Sequence, residues 1–179
     1  MQLDKLYSER FNSDTWNKRN NLWKILCNDF FSRYVKADDD ILDLAAGYCD
    51  FINNIHAGGK GRRIAVDLNP DIKHHAADFV EVHNCMAQDL SFLQDNSIDA
   101  VFVSNFFEHV RDKDDILAIL RECLRVLRTG GKLMILQPNI KYLTGEYWDF
   151  FDHYTPLTEK SMCEALSIVT DWGGGMSFA

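Results

Sequence analysis

The chain has 179 residues, 46% of them hydrophobic, which fits one globular domain able to bury roughly two thirds of the surface its unfolded form exposes. A formal net charge of -8 argues against a nucleic-acid binder, because affinity for phosphate backbones rests on Lys and Arg, so an anionic ligand must be met by backbone amides. The five cysteines form no CxxC pair, no run approaches the roughly 20 apolar residues of a membrane span, and the polar N-terminus is unlike a signal peptide, so a cytoplasmic protein with reduced thiols is expected.

With only three prolines, at positions 70, 138 and 156, and no repeat or linker, residues 1–179 read as a single domain. Segment 1–38 has helical potential over roughly Trp16 to Tyr34. Its Tyr7, Arg10, Phe11, Trp16 and Arg19 suit either a lid over a ligand or a plain packing helix. In the core, 39–140, four apolar runs follow: Ile41 to Ala45, Arg63 to Asp67, Ile98 to Ser104 and Lys132 to Gln137, with a weaker fifth over Phe79 to Cys85. Nearly continuous apolar strands suit a parallel sheet covered on both faces. The best helix spans Asp114 to Leu127, where Ile116, Leu117, Ile119, Leu120, Cys123, Leu124 and Leu127 form one stripe. Its expected stop is Gly130-Gly131, with Arg125 and Arg128 near the negative end of the dipole. The order of strand, helix and strand predicts an α/β fold with a Rossmann-like, doubly wound, mostly parallel sheet of about five strands.

Ligands of such sheets lie beyond the carboxyl ends of the strands. The first end, Ile41-Leu-Asp-Leu-Ala-Ala-Gly-Tyr-Cys-Asp50, reads as a strand turning sharply into a helix, with Gly47 where a ligand needs close backbone approach. The second puts Asp67 20 positions after Gly47, a spacing at which a carboxylate accepts from both hydroxyls of a ribose; the alternative role is a helix-capping or turn carboxylate ahead of Pro70. The third, Cys85-Met-Ala-Gln-Asp89, offers polar and backbone groups to a purine ring, or an ordinary loop cap. The six histidines show no metal-ligand spacing, and no metal site is expected.

The series Leu42-Asp-Leu-Ala-Ala-Gly47, Val66-Asp67, Asp95-Asn-Ser-Ile-Asp-Ala-Val-Phe-Val-Ser-Asn105 and Leu124-Arg-Val-Leu-Arg-Thr-Gly-Gly-Lys132 resembles the class I S-adenosylmethionine-dependent methyltransferases, over about Ile41 to Thr158. It is most similar to the small-molecule type with a Glu-His pair after the fourth strand, here Glu108-His109. The resemblance implies that S-adenosyl-L-methionine is the cofactor and a small molecule the methyl acceptor. Asp43 and the Ala45-to-Gly47 turn would hold the methionine portion, Asp67 the ribose and Leu68 one adenine face. Asp89, or the backbone at Ala87 and Gln88, would meet the adenine amino edge, and Asn105 would close the methionine end. The family usually has Gly where Ala45 and Cys49 stand, so this turn is bulkier.

Because a sulfonium methyl is already electrophilic, the protein has mainly to align the acceptor and exclude water. Where the acceptor must lose a proton, His109 can take it with Glu108 orienting; the alternative is local capping and packing by both. The aromatic stretch after the last strand, with Tyr142, Tyr147, Trp148 and His153, walls an acceptor pocket, or Tyr147, Trp148 and Phe151 cover the sheet edge. In 141–179 this loop is followed by a helix opened by a Thr158 cap, with Met162, Ala165, Leu166 and Val169 on its apolar face.

The sheet is expected to lack the family's usual C-terminal antiparallel pair, since the three glycines of Asp171-Trp-Gly-Gly-Gly-Met-Ser-Phe-Ala179 make a poor strand. Leu133 to Leu136 should then lie near an open edge that pairs with a second copy in a homodimer or is covered by the 145–154 loop. Two rival functions stay open: a cofactor-binding module that is truncated or degenerate and non-catalytic, and an NAD-dependent oxidoreductase. The second is disfavoured by the single glycine of Ala45-Ala-Gly-Tyr-Cys-Asp50.

Overall fold

The computed structural model describes residues 13–143 and 145–170, and the side chains from Trp16 onward. Tyr7, Arg10 and Phe11 of the proposed lid, and the triple-glycine segment 171–179, lie outside the described residues.

Five parallel strands form one sheet in the order β3-β2-β1-β4-β5. They are β1 (Ile41–Leu44), β2 (Arg63–Val66), β3 (Glu81–His83), β4 (Ile98–Ser104) and β5 (Leu127–Leu136). The chain winds outward from β1 through β3, then returns to place β4 on the other side of β1. Doubly wound sheets bind ligands beyond the carboxyl ends of the strands that flank such a reversal, here β1 and β4. β5 is an edge strand, as expected, and no strand pairs with its outer side among the described residues.

Side-chain alternation decides which layer each strand residue joins. Leu42, Leu44, Ile64, Val66, Val101 and Val103 point into one core with α2 (Lys113–Val126) and α3 (Glu159–Thr170). Ile41, Ala65, Ala100 and Phe102 face the other, with Phe31, Phe51 and Cys27. Phe102 anchors this second layer: it stacks on Phe51 at 3.8 Å and meets Phe31 at 5.0 Å and Trp23 at 6.1 Å. Burying such a ring contributes about 2–3 kcal/mol. Trp23 belongs to α1 (Ser13–Ile25), which gives way to a wider and then a tighter turn over residues 26–33.

Two expectations about helices need correction. α2 keeps its predicted bounds to within one residue, but Gly130-Gly131 is not its stop: the helix ends at Val126 because the amides of Asn96 and Ser97 bond the carbonyls of Arg125 and Val126 and Leu127 pairs with Ile98. The glycines instead form an irregularity in β5, Gly130 holding φ +82°, which shifts the register between Ile98 and Ala100. The segment after β1 is a chain of turns, not a regular helix. Cys49 (φ +59°) and His56 (φ +45°) bracket it in left-handed conformations and leave too few residues between them to propagate a helix.

α3 starts as predicted, with the Thr158 hydroxyl accepting from the Ser161 amide at 3.2 Å, and it buries Met162 and Val169. Cys27, Cys49 and Cys123 are buried, Cys163 is exposed, and no described cysteine is paired. No helix among the described residues is long and apolar enough to cross a membrane.

Candidate functional site

The carboxyl ends of the strands carry two adjoining clusters. The first lies over β1 and β2. Asp43, the third residue of β1, is buried, and one carboxylate oxygen accepts from the Ile52 amide at 3.3 Å. Burial raises its pKa well above the ordinary carboxylate value, and the negative charges of Asp50 and Asp67 add to the rise. Beyond β1 the chain reverses through Ala45 at φ +56° and Gly47 at φ +52°. A β-carbon built on Gly47 would meet nothing within 4 Å, so the space above this turn is open.

Asp67, just past β2, ties the two strand ends together. Its carboxylate accepts from the Gly47 amide at 2.8 Å across a sequence separation of 20, and from the Asn69 amide at 2.8 Å. The Asn84 side chain holds the Asp67 and Leu68 carbonyls, each at 2.8 Å. Leu68 (67% exposed) and Met86 (54% exposed) present apolar surface at the ends of β2 and β3. Ala87 is buried and Gln88 half-buried behind them, while Asp89 is exposed and accepts from the Ser91 amide at 3.2 Å, the geometry of a loop cap. Asn105 follows β4 at φ +47°, its backbone amide donating to the Leu136 carbonyl.

Asp50 belongs to this cluster although its residue type and position alone did not mark it. Burial raises its pKa, and Arg19 of α1 opposes the rise by pairing with it, the Arg19 Nε lying 2.7 Å from the carboxylate. The Arg19 guanidinium also lies 4.8 Å from the centre of the Tyr48 ring, and Trp16 meets Tyr48 edge-on at 4.6 Å. α1 therefore packs directly over the β1 turn. Three carboxylates round one open turn suit a ligand that brings positive charge and hydroxyl donors.

The second cluster lies over β4 and β5. Glu108, in the short helical turn Phe107–His109, is fully buried. Its carboxylate accepts from the Tyr147 hydroxyl at 2.7 Å and the Gln137 amide at 2.9 Å, and its carbonyl accepts from the Tyr154 and Thr155 amides. His109 Nδ1 sits 2.9 Å from the Asp152 carbonyl, and His153 Nδ1 sits 2.7 Å from the Tyr147 carbonyl. A carbonyl only accepts, so each Nδ1 carries the hydrogen and each Nε2 keeps its lone pair in the neutral ring. The two imidazoles lie 4.8 Å apart, centre to centre.

Of the aromatic candidates, Tyr147 and His153 thus join Glu108 and His109. Trp148 flanks them, its ring centre 5.9 Å from that of His153 and its Nε1 donating to the Leu143 carbonyl. Tyr142 stays apart and is 81% exposed. Phe151 is 78% exposed, so it gives no apolar cover to the sheet edge. Gln137 and Asp152 are further members of the cluster. The only available signal for Gln137 was its position at the tip of a predicted strand, and for Asp152 its neighbourhood to His153.

The family model described as a methyltransferase domain matches residues 23–135. The ubiquinone/menaquinone biosynthesis C-methyltransferase UbiE of Hahella chejuensis is 32% identical over 127 residues, covering 65% of this chain and 49% of that protein. The protein of the same name in Xanthomonas oryzae pv. oryzae is 30% identical over 152 residues, covering 74% of this chain and 58% of its own. The chain therefore spans about half the length of the curated relatives it matches. In fold it is similar to a SAM dependent methyltransferase from Archaeoglobus fulgidus, with a TM-score of 0.72 at 22% identity over 84% of this chain and 68% of that one. It is also similar to the [4+2]-cyclase SpnF, with a TM-score of 0.64 at 16% identity over 84% of this chain and 56% of that one.

Proposed function

The chain belongs to the methyltransferase domain family, of the class I S-adenosylmethionine-dependent type, and on that premise we propose that it transfers a methyl group from S-adenosylmethionine to a small organic acceptor. The observation that carries this reading is the bond from the Gly47 amide to the Asp67 carboxylate. It closes the gap between the ends of β1 and β2 with a group able to accept from two ribose hydroxyls, beside the further carboxylates of Asp43 and Asp50.

Bound S-adenosylmethionine supplies an electrophilic methyl carried on a positive sulfur. The chain's residues bind and orient. Asp67 holds the ribose, exchanging its bond to the Gly47 amide for hydroxyl donors, and Asp43 with the Ala45–Gly47 turn holds the cationic methionine portion. Leu68 covers one face of the adenine, Ala87, Gln88 and Asp89 line its amino edge, and Asn105 borders the methionine end. Tyr147, Trp148 and His153 wall the acceptor, with Tyr142 at the rim. For an acceptor that must lose a proton, the free Nε2 of His109 takes it, while Glu108 fixes the Tyr147 hydroxyl. The names of the curated relatives make a quinone-type acceptor, methylated at carbon, the first to assay.

Titration calorimetry with S-adenosylhomocysteine and with NAD tests this reading. Heat with the first at one ligand per chain is expected; heat with NAD alone contradicts it. A second reading, cofactor binding without methyl transfer, is favoured by one observation: Ala45 and Cys49 hold left-handed conformations while carrying side chains. Binding without transfer to any acceptor selects it. A cytoplasmic location and a homodimer formed through β5 complete the proposal, and light scattering showing a monomer at high concentration would remove the dimer.

A further inference from the structure

We propose that Glu108, His109 and His153 form a binding site for a divalent transition-metal ion of the zinc type. One ligand atom from each residue lies within 4.8 Å of the others. Two imidazoles and one carboxylate are a donor set that selects zinc and its neighbours over magnesium or calcium, which favour all-oxygen shells.

The surroundings of the three residues are those of a prepared site. Both histidines spend Nδ1 on main-chain carbonyls, at 2.9 and 2.7 Å, and among the described residues neither Nε2 has a hydrogen-bond partner. That fixes one tautomer in each ring and presents the metal-binding nitrogen without a competing bond. His109 is further oriented by the Asp152 carboxylate, which lies 3.4 Å from its Nδ1 and is itself buried.

Glu108 supplies an independent observation. It is a fully buried carboxylate, and among the described residues no Lys or Arg pairs with it; its two side-chain partners, Tyr147 and Gln137, are neutral donors. Buried carboxylates normally have a cationic partner or a metal. The same Gln137 amide carries a buried oxygen with no hydrogen-bond partner among the described residues, a ready acceptor for water on a bound ion.

A tetrahedral ion with ligands at about 2.0–2.1 Å holds them roughly 3.3 Å apart, closer than the 4.8 Å within which one ligand atom of each residue now lies, so binding has to close the cluster with each Nε2 turned towards the ion. Glu108 and His109 are fixed at the end of β4, and His153 lies on the 145–153 segment with Tyr147. The ion therefore draws that segment onto the strand ends and leaves a fourth position for an oxygen of the acceptor. The site does not depend on the methyl-transfer reading, and an ion on the Nε2 of His109 replaces that nitrogen's role as a base: an acceptor oxygen bound to the ion would lose its proton to water instead.

The test is zinc titration of the full chain after dialysis against EDTA, by calorimetry, with cobalt(II) absorption as a second readout. One zinc per chain is expected, with a cobalt spectrum in the visible region and a higher melting temperature in zinc. His109→Ala and His153→Ala should each weaken binding at least tenfold. Far-UV circular dichroism checks their fold; if His109→Ala unfolds, His153→Ala decides. Absence of zinc binding, unchanged affinity in His153→Ala, or a preference for magnesium would overturn the proposal. S-adenosylhomocysteine titrated into the same samples separates the two readings: zinc without nucleoside binding leaves the metal site standing and removes the cofactor, and the converse removes only the metal.

Discussion

The two ends of the sheet hold their buried charges in opposite ways. At the amino end Arg63, the first residue of β2, is 4% exposed, and its guanidinium donates to the carbonyls of Ala37, Asp39, Ile55, His56, Gly61 and Arg62. A planar fork with five N–H donors has found enough acceptors to leave the chain as one folded corner. At the carboxyl end Asp43 has, among the described residues, a single backbone donor at 3.3 Å and two further carboxylates among its electrostatic neighbours. One end is satisfied by the protein itself. The other sets one cation, Arg19 on Asp50, against the three carboxylates of Asp43, Asp50 and Asp67, and that excess of negative charge is what a ligand answers.

Breaking the satisfied end should cost the most. Arg63→Ala orphans several main-chain carbonyls together, at about 1–3 kcal/mol each where water cannot reach, so a loss on the order of 3–5 kcal/mol is expected from denaturant unfolding. A loss below about 1 kcal/mol would show that the corner is wet or redundant. Next in size, Asp67→Ala should weaken S-adenosylhomocysteine binding by roughly 2–3 kcal/mol, a factor of thirty or more, as for a charge-assisted pair. Its unfolding midpoint should barely move, since Asp67 is only half-buried.

Asp43→Asn should act in the opposite direction on stability. A carboxyl whose folded pKa is raised is favoured in its protonated form, so its contribution is present below the ordinary value of 3.8 and lost as pH rises through the raised folded value. At neutral pH the ionised group is a cost. The amide should therefore raise the stability of the ligand-free protein by about 0.5–2 kcal/mol, flatten its pH dependence and weaken nucleoside binding. Equal stability of both forms at pH 7 would show the charge to be solvated. The smallest effect is expected from Ala45→Gly, which removes a side chain from φ +56°. It should add about 1 kcal/mol to stability, read as a rise in melting temperature.

The strands were readable because parallel, doubly covered strands are apolar along their whole length, and Ile98–Ser104 coincides with its predicted bounds. The role of Gly130-Gly131 as the stop of α2 was misread because a glycine pair is also the signature of a strand irregularity, and the choice between the two depended on Leu127 pairing with Ile98, a tertiary fact. The missing helix after β1 has a similar origin, since nothing local marks Cys49 as left-handed. In the site, Asp67 and Gly47 could be linked by their spacing and a strand order. Glu108-His109 and the Tyr147–His153 stretch could be flagged only as two separate surfaces, because their meeting depends on the fold of the 145–155 segment over β4. The pairing of His109 with His153 therefore had no trace in histidine spacing.

The central claim is that a nucleoside lies across the ends of β1 and β2 with its sugar on Asp67. It is tested most directly by following the Gly47 amide in proton–nitrogen correlation spectra during titration with S-adenosylhomocysteine. That amide now donates to Asp67 at 2.8 Å, so its resonance should shift with saturating occupancy, along with those of Asn69 and Ile52. A saturable shift confined to the amino end of the sheet, or none at Gly47, would contradict it.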